Sequence, residues 1–501
     1  MTQVRAVRRR GAAEVAGWVA ALALALVAVA VVASTSSWLL YRDGDSVVVA
    51  LMADSLRRGD PQDWALSPVL FLPETAVYAG LSLFGFGTAA TLTLNAVVNL
   101  LAVYGGIRLV AGRRRAGAVR GAVFAFAAFV GLILLEGPAG MPGLHLALLT
   151  ATTTYYSATV VATLVVAGLV RRLLDGAPVR RVLAGIVVVA AVSTLTNPLF
   201  VVWCVLPVVG IVGILLCGRR LAPRTASSVA GAVLIGAAIG YLGRAPFAGN
   251  IVAAGGQYLR PDQADAALAH VAGAIGGTIG RWDGVLWSVA VLALLVTCGV
   301  VGMRAWRRRD AAVAAVCAIA VAAPVAATLL VVVAGTDADR YLQPWVFLPI
   351  LVLAVAPPPV SVPRAVGVAT AGALALAGVV AVPLAAAAAG RGDADLACVT
   401  RWVEQSGRTG AGQFWTVRAP KLALADPSQL VQVDHTLRPY DWLVNRGERL
   451  GPVTFLVEGA ADAPYELPAG LSPLAATPVA CGRYTILDFG SHVLPLGDPQ
   501  N

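Results

Sequence analysis

Apolar runs long enough to cross a bilayer, about 20 residues each, recur from Ala16 to Ala386, and no other feature limits this chain so strongly. Lipid offers backbone N–H and C=O groups no partners, so a crossing segment must satisfy them itself, and a helix does so. Eleven runs qualify: 16–38, 88–110, 119–136, 147–170, 182–197, 199–217, 226–243, 284–303, 311–334, 342–358 and 365–386. The runs 182–197 and 199–217 are short, and Asn197-Pro198 has to turn tightly between them. Composition agrees, since 58% of the 501 residues are hydrophobic and 13% are charged, about half the charged share of a soluble domain. Such a chain cannot cover its surface with polar groups, which excludes both an ordinary soluble enzyme and intrinsic disorder. The expected fold class is an α-helical polytopic membrane protein.

Arginine placement tests this map independently, because cytoplasmic loops accumulate basic residues. With the N-terminus inside, the inner loops and span ends hold 21 basic residues against 3 acidic ones, Glu14, Asp175 and Asp310. The inner arginines include Arg5, Arg8 to Arg10, Arg113 to Arg115, Arg180, Arg181 and Arg307 to Arg309. The outer side before residue 390 holds 7 basic and 12 acidic residues. A wrong span count would scramble this alternation. The net charge of +10 is thus a topology signal, and no nucleic-acid partner is expected. The first run is longer than the core of a cleaved signal peptide, so residues 16–38 read as an uncleaved anchor in place of a leader cut near Ala33.

The expected division is a transmembrane part, 1–390, and an extracytoplasmic α/β domain, 391–501. A long first outer segment, 41–87, interrupts the former. In it Val48, Leu51, Met52, Ser55 and Leu56 repeat at helical spacing, with Asp54, Arg57 and Arg58 opposite, as in a helix lying along the membrane interface. Trp64 reads as an interfacial aromatic, and Pro73-Glu74 opens a further short helix. A second outer segment, 244–283, carries Tyr258, Arg260, Asp262, Asp265 and His270, and its role is not legible. In the tail, Asp395 to Gln405 reads as a helix and QFWTV, LVQVD, VTFLVEG and YTILDFG read as strands. Gly407, Gly410 and Gly412 read as a turn and not as a phosphate loop, because no helix is expected to follow them.

Cys204, Cys217, Cys298 and Cys317 fall in apolar runs, where a thiol packs as a small hydrophobe. Cys398 and Cys481 lie in the outer tail, where oxidising conditions permit a disulfide; the alternative is two buried free thiols.

Chemistry is sparse. The chain has no Walker loop, no Rossmann fingerprint, no nucleophile elbow and no HExxH or CxxC metal spacing. Asp43 and Asp45 stand out, two carboxylates at the outer end of the first span. A carboxylate near lipid is costly unless paired, hydrated or bound to a metal, and a half-dry one suits a general base. The other reading is that Asp45 or Ser46 caps the helix that follows. Glu136 and His145 flank the turn GPAGMPG and are candidates for a cavity rim, as is Tyr341; a solvated loop edge is the alternative.

The spans, the acidic residues just after the first of them, the long first outer segment and the soluble tail together resemble the GT-C superfamily of integral-membrane glycosyltransferases. Tyr41-Arg42-Asp43-Gly44-Asp45-Ser46, followed by Leu56-Arg57-Arg58-Gly59-Asp60, falls where that superfamily carries its first-loop acidic motif. Asp339-Arg340-Tyr341-Leu342-Gln343-Pro344 is similar to its Arg-Tyr-Leu-x-Pro pattern before a late span. The tail segments GAGQFWTVR, LRPYDWLVNR and CGRYTILDFG look like those of multipass actinobacterial envelope proteins. Asp-Gly-Asp departs from the Asp-Glu pair of the protein mannosyltransferases, and no WWDYG-like motif occurs.

The resemblance implies transfer of a sugar from a polyprenyl-phosphate donor to a glycan, lipid or protein acceptor outside the membrane. Asp43 or Asp45 would be the catalytic base, with a divalent cation, Mg or Mn, as an optional cofactor at that pair. Arg340, and less directly Arg244 and Arg281, would bind the donor phosphate, where charge builds during transfer. A non-catalytic envelope-assembly protein is the rival expectation. A transporter is the third, disfavoured because the spans carry almost no ionisable residues at mid-membrane.

Overall fold

The computed structural model describes residues 2–112, 117–252, 259–359, 363–449, 451–467, 471 and 476–500; Arg113 to Arg115 and Tyr258 lie outside the described residues. The chain forms two compact units. One comprises Met1–Ser36, Thr93–Ala245 and Tyr258–Ala388; the other comprises Ser37–Leu92, Pro246–Gln257 and Ala389–Asn501. The segment 41–87, expected within the transmembrane part, is therefore grouped with the tail.

The first unit is helical. Among the described residues, nine helices are long and apolar enough to cross a membrane: Gly11–Thr35, Thr88–Ala111, Ala118–Glu136, Ser157–Leu174, Val179–Thr196, Pro223–Leu242, Trp282–Arg307, Ala311–Ala334 and Ala365–Ala389. Two of the eleven expected runs take other forms. The run 199–217 is a shorter apolar helix, Val201–Cys217, which follows the turn at Asn197-Pro198. The run 342–358 is broken into Pro344–Phe347 and Leu351–Val355. Pro349 stands between these pieces and has no N–H to continue the ladder.

Close helix contacts in this unit rest on small residues. Gly236 and Gly240, one turn apart on Pro223–Leu242, face Val179–Thr196. A Cβ on Gly236 would meet the Val187 carbonyl oxygen at 2.6 Å, so only glycine admits this approach of the two backbones. Asp310 caps the Ala311–Ala334 helix by accepting from the Val313 N–H at 3.1 Å.

The second unit is α/β. Its main sheet runs β3 (Leu430–Gln432), β2 (Thr409–Gly412), β5 (Val453–Gly459), β7 (Tyr484–Asp488) and β6 (Thr477–Cys481). β2 lies parallel to β3 and β5, while β5–β7 and β6–β7 are antiparallel. Alternate residues of β5 enter different cores, Phe455 and Val457 with Val399 and Val403, and Leu456 with Val431 and Leu487. Burial on both faces explains why VTFLVEG reads as an unbroken apolar run.

Several tail expectations hold. The expected helix spans Ala394–Ser406, three of the four strand runs are strands, and Cys398 and Cys481 form a disulfide. QFWTV is the exception and belongs to the helix Phe414–Ala423. A five-residue window of aromatic and β-branched residues reads as strand. The longer window places Phe414, Val417, Arg418 and Lys421 on one helical face, and all four are buried.

A helix thus follows Gly407, Gly410 and Gly412 after all. Its glycines serve packing, since a Cβ on Gly412 would meet the Val457 carbonyl oxygen at 2.9 Å. The first turn of that helix is occupied by its own chain. Asp462 accepts from Thr416 Oγ1 at 2.7 Å and from the Gly459 N–H at 2.8 Å.

Two expectations for the segment 41–87 are corrected. The helix Val48–Arg58 forms, but Val48, Leu51, Met52 and Ser55 are buried by protein, against the helices Leu72–Ser82 and Phe414–Ala423 of the same unit, and only Leu56 stays exposed. Trp64 is also buried. It sits in β1 (Trp64–Ala65), paired antiparallel with β4 (Val444–Asn445) of the tail. Asn445 closes this junction, with Nδ2 donating to Pro61 O at 2.7 Å and Ser55 Oγ at 3.2 Å. Pro73 opens the Leu72–Ser82 helix as expected.

Candidate active site

The Asp43-Gly44-Asp45 turn is built from its backbone outward. The helix Ser37–Tyr41 ends with the Arg42 and Asp43 N–H groups both donating to Trp38 O at 2.9 Å. Asp43 Oδ2 then accepts from the Ser46 N–H at 3.0 Å, and its carbonyl accepts from Val47 N at 3.2 Å. The N-cap falls on Val47, which has no side-chain cap, so the carboxylate-to-backbone bond expected of Asp45 or Ser46 is made one turn earlier by Asp43. Asp43 is 2% exposed, whereas Asp45 is half-buried. Gly44 rests on the helix Phe414–Ala423, and a Cβ there would stand 3.0 Å from the rings of Phe414 and Trp415.

That helix supplies two cations. Arg418 is 0% exposed; its Nη1 donates to Leu443 O, and its guanidinium lies 5.2 Å from the Phe414 ring centre. Among the described residues, its Nε and Nη2 have no acceptor. Burial pushes the Arg418 pKa down to about 10, against the opposing charges of Asp45, Glu448 and Asp43, so it remains a cation at neutral pH. One turn on, Lys421 Nζ donates to Pro427 O at 2.8 Å and Leu430 O at 2.7 Å, and pairs with Glu448 Oε2 at 2.8 Å. All three ammonium donors are satisfied. Burial lowers the Lys421 pKa and Glu448 opposes that shift.

Arg418 and Lys421 are the functional candidates that the sequence reading misses. A signal existed for the second, because Lys421 is the only lysine beside 36 arginines. An ammonium places three donors in a space that a planar guanidinium does not fit.

The residues present do not fit a resident divalent cation. Asp43 already serves the Ser46 N–H, and the buried Arg418 charge opposes a second positive charge at the pair. Among the described residues, no group of three or more His, Cys, Asp or Glu side chains is arranged to hold a metal.

Next to the turn, Arg42 Nη1 pairs with Asp393 Oδ2 at 2.6 Å, and Arg483 grips the same carboxylate, with Nη1 donating to Asp393 Oδ1 at 2.9 Å. Asp393 also caps Ala394–Ser406, accepting from Leu396 N at 3.1 Å. Burial raises the Asp393 pKa, but the bonds from Arg483, Leu396 N–H and Arg42 outweigh it and hold the carboxyl down at about 2. A carboxylate depressed on folding stabilises the protein above its unfolded pKa, about 4, and loses that contribution as pH falls through its folded value. Acid titration of unfolding is therefore expected to show a loss on the order of 1–2 kcal/mol between about pH 4 and pH 2, allowing for solvent screening around Arg483. Asp393→Asn should flatten that step, and an unchanged profile would remove the role.

The remaining candidates belong to the helical unit. Arg340 Nε donates to Tyr156 Oη at 2.9 Å, and its guanidinium lies 5.9 Å from the Tyr155 ring centre. Tyr156 holds a left-handed backbone, φ 66°, at the start of the helix Ser157–Leu174, a conformation that costs about 1–3 kcal/mol in a non-glycine residue. Its ring is 6.0 Å from that of Tyr341, whose carbonyl accepts from Trp203 Nε1 at 3.2 Å. Arg340 thus sits in an aromatic setting with defined orientation.

Arg281 is committed to structure. It binds Asp283 through Nε at 3.0 Å and Nη2 at 2.6 Å, and it also donates to Glu136 O at 2.9 Å. Arg244 is buried with Nη1 on Leu195 O at 2.7 Å. Glu136 is no cavity rim, because its two oxygens accept from Ala147 N and Leu148 N at 2.7 Å each, capping the short helix Leu148–Ala151. His145 bonds Met141 O at 2.8 Å, and burial lowers its pKa. Asp339 pairs with His270 at 3.1 Å; burial raises its pKa and His270 opposes that. No family model matches this chain, and no curated protein matches it.

Proposed function

We propose that the protein is a GT-C-type membrane glycosyltransferase with eleven spans, a cytoplasmic N-terminus and an extracytoplasmic tail. It moves a sugar from a polyprenyl-phosphate-linked donor to an envelope acceptor. The observation that carries this reading is the construction of the acidic turn: Asp43-Gly44-Asp45 is not a solvated connector but is locked against a tail helix that brings the buried cation Arg418. Groups held at such cost in a folded unit are candidates for function.

In this reading Asp45, half-exposed, takes the proton of the acceptor hydroxyl. The oxygen bonds to the anomeric carbon, and the bond from that carbon to the donor phosphate breaks, its electron pair leaving with the phosphate. Asp43, already bonded to Ser46 N–H, orients the turn, which packs on the helix that carries Arg418. Arg340, oriented by the Tyr156 hydroxyl beside the Tyr155 ring, is the preferred phosphate ligand.

The test is transfer of labelled sugar from polyprenyl-phosphate donors in membranes. Asp45→Asn is expected to lower the rate by about 10²–10⁴-fold, as for loss of a general base, with the unfolding midpoint unchanged. The Asp43 bond to Ser46 N–H also favours the rival reading of a non-catalytic scaffold. Transfer per folded molecule that survives both Asp43→Asn and Asp45→Asn would remove the two carboxylates from the mechanism, and absence of transfer by the native chain would favour that rival.

A further inference from the structure

We infer that a polar cavity in the second unit is a binding site for a neutral, polyhydroxylated ligand, a glycan. This assignment deepens the proposed function, on which it rests for the identification of that glycan as the acceptor. The cavity has a volume of about 320 Å³ and lies between the helices Val48–Arg58 and Leu72–Ser82, the start of Thr88–Ala111 and the tail residues Leu422 to Ala425. That size falls at the small end of ligand pockets, about 300–1,000 Å³.

Its chemistry selects the ligand class. Hydroxyls come from Tyr78, Ser82, Thr88 and Thr91. Burial, then the charge of Asp54, pushes the Tyr78 pKa up to about 12, so the phenol keeps its proton and donates. Asp54 provides acceptors and Arg57 and Arg58 provide donors, in planar groups that reach adjacent hydroxyls of one sugar ring. The Phe86 ring stands at the wall, stacked on Phe84 with centres 6.1 Å apart, and both rings are exposed. An aromatic face carries partial negative charge and suits the C–H face of a sugar.

The two arginines first suggest an anion, but the charges argue otherwise. Asp54 pairs with both Arg57 and Arg58, and Arg58 also binds Asp60 at 2.7 Å. Glu448, 3.7 Å from Arg58, belongs to Lys421. Two guanidiniums thus have two carboxylate partners, Asp54 in the wall and Asp60 beside it, and the four groups together are neutral. A phosphate would have to break these pairs, whereas a polyol adds hydrogen bonds around their edges.

The cavity is set back from the acidic turn. Asp54 stands about 9 Å along its helix from Val48 at 1.5 Å per residue. The site therefore holds the glycan behind its reacting unit and leaves the reacting hydroxyl to Asp45.

Saturation-transfer NMR on the full chain in lipid nanodiscs tests this with neutral tetrasaccharides of mannose, glucose or galactose as probes, and equilibrium binding of radiolabelled inorganic phosphate tests the anion separately. The expected result is binding of at least one tetrasaccharide, weakened tenfold or more in Tyr78→Phe and in Arg57→Ala, with unfolding midpoints unchanged and no signal from phosphate. Binding of equal strength in both variants, or binding of phosphate and of no saccharide, would overturn the assignment. Asp45→Asn separates the two readings. Pocket-dependent saccharide binding without any sugar transfer leaves the cavity and removes the enzyme, whereas Asp45-dependent transfer without saccharide binding removes the cavity alone.

Discussion

Replacing Lys421 with methionine is expected to destabilise the second unit by about 3–5 kcal/mol, the usual cost of breaking a buried ion pair from one side. Lys421 is 1% exposed, and its ammonium is shared among Pro427 O, Leu430 O and Glu448. Methionine keeps the length and packing of the side chain but removes the cation that Glu448 and the Pro427 and Leu430 carbonyls share. At the entropy of unfolding of a unit of this size, the midpoint should fall by roughly 10 °C. Glu448→Gln in the Lys421→Met background should recover part of the loss, because the uncompensated charge disappears. Lys421→Arg should not rescue, since a planar fork cannot reach the same three acceptors. A midpoint within about 1 °C of the native value, equivalent to a few tenths of a kcal/mol, would show that the pair contributes nothing.

Reduction of the Cys398–Cys481 disulfide should have a comparable effect. The bond links the helix Ala394–Ser406 to the end of β6 across 83 residues, with Cα atoms 5.5 Å apart. Closing a loop of that length removes unfolded-state entropy worth about 4.5 kcal/mol in the chain-entropy account, and measured losses run about 2–5 kcal/mol. Urea unfolding with and without reductant should show that difference, and reductant should have no effect on the Cys398→Ser, Cys481→Ser double variant. Identical midpoints for the oxidised and reduced native chain would refute it. An intact disulfide also supports the proposed placement of the tail in an oxidising compartment.

Local signals carried much of the architecture. Run length and hydropathy located the long apolar helices, period-2 patterning located three strands of the tail, and Pro73 marked a helix start. The failures share one cause. The Val48–Arg58 helix has an apolar face in the sequence, but a face does not say whether lipid or protein covers it, and here protein does, from the nearby helix Leu72–Ser82 and from Phe414–Ala423 over 350 residues away. Trp64 fails similarly, because its strand partner is Val444-Asn445. QFWTV was too short a window, and the helical face that decides it extends to Lys421.

The candidate site divides along the same line. Asp43 and Asp45 were visible because carboxylates after an apolar span have few inexpensive explanations. Arg418 was not visible, as nothing local to it signals that Gly44 packs on its helix. The amino-acid order by itself determined which segments are too apolar for water and which cysteines can pair, since hydropathy and covalent reach are local or pairwise quantities. Only the tertiary structure decided that the early acidic turn packs on the tail helix that carries Arg418, because a contact between residues some 370 positions apart leaves no periodicity to read.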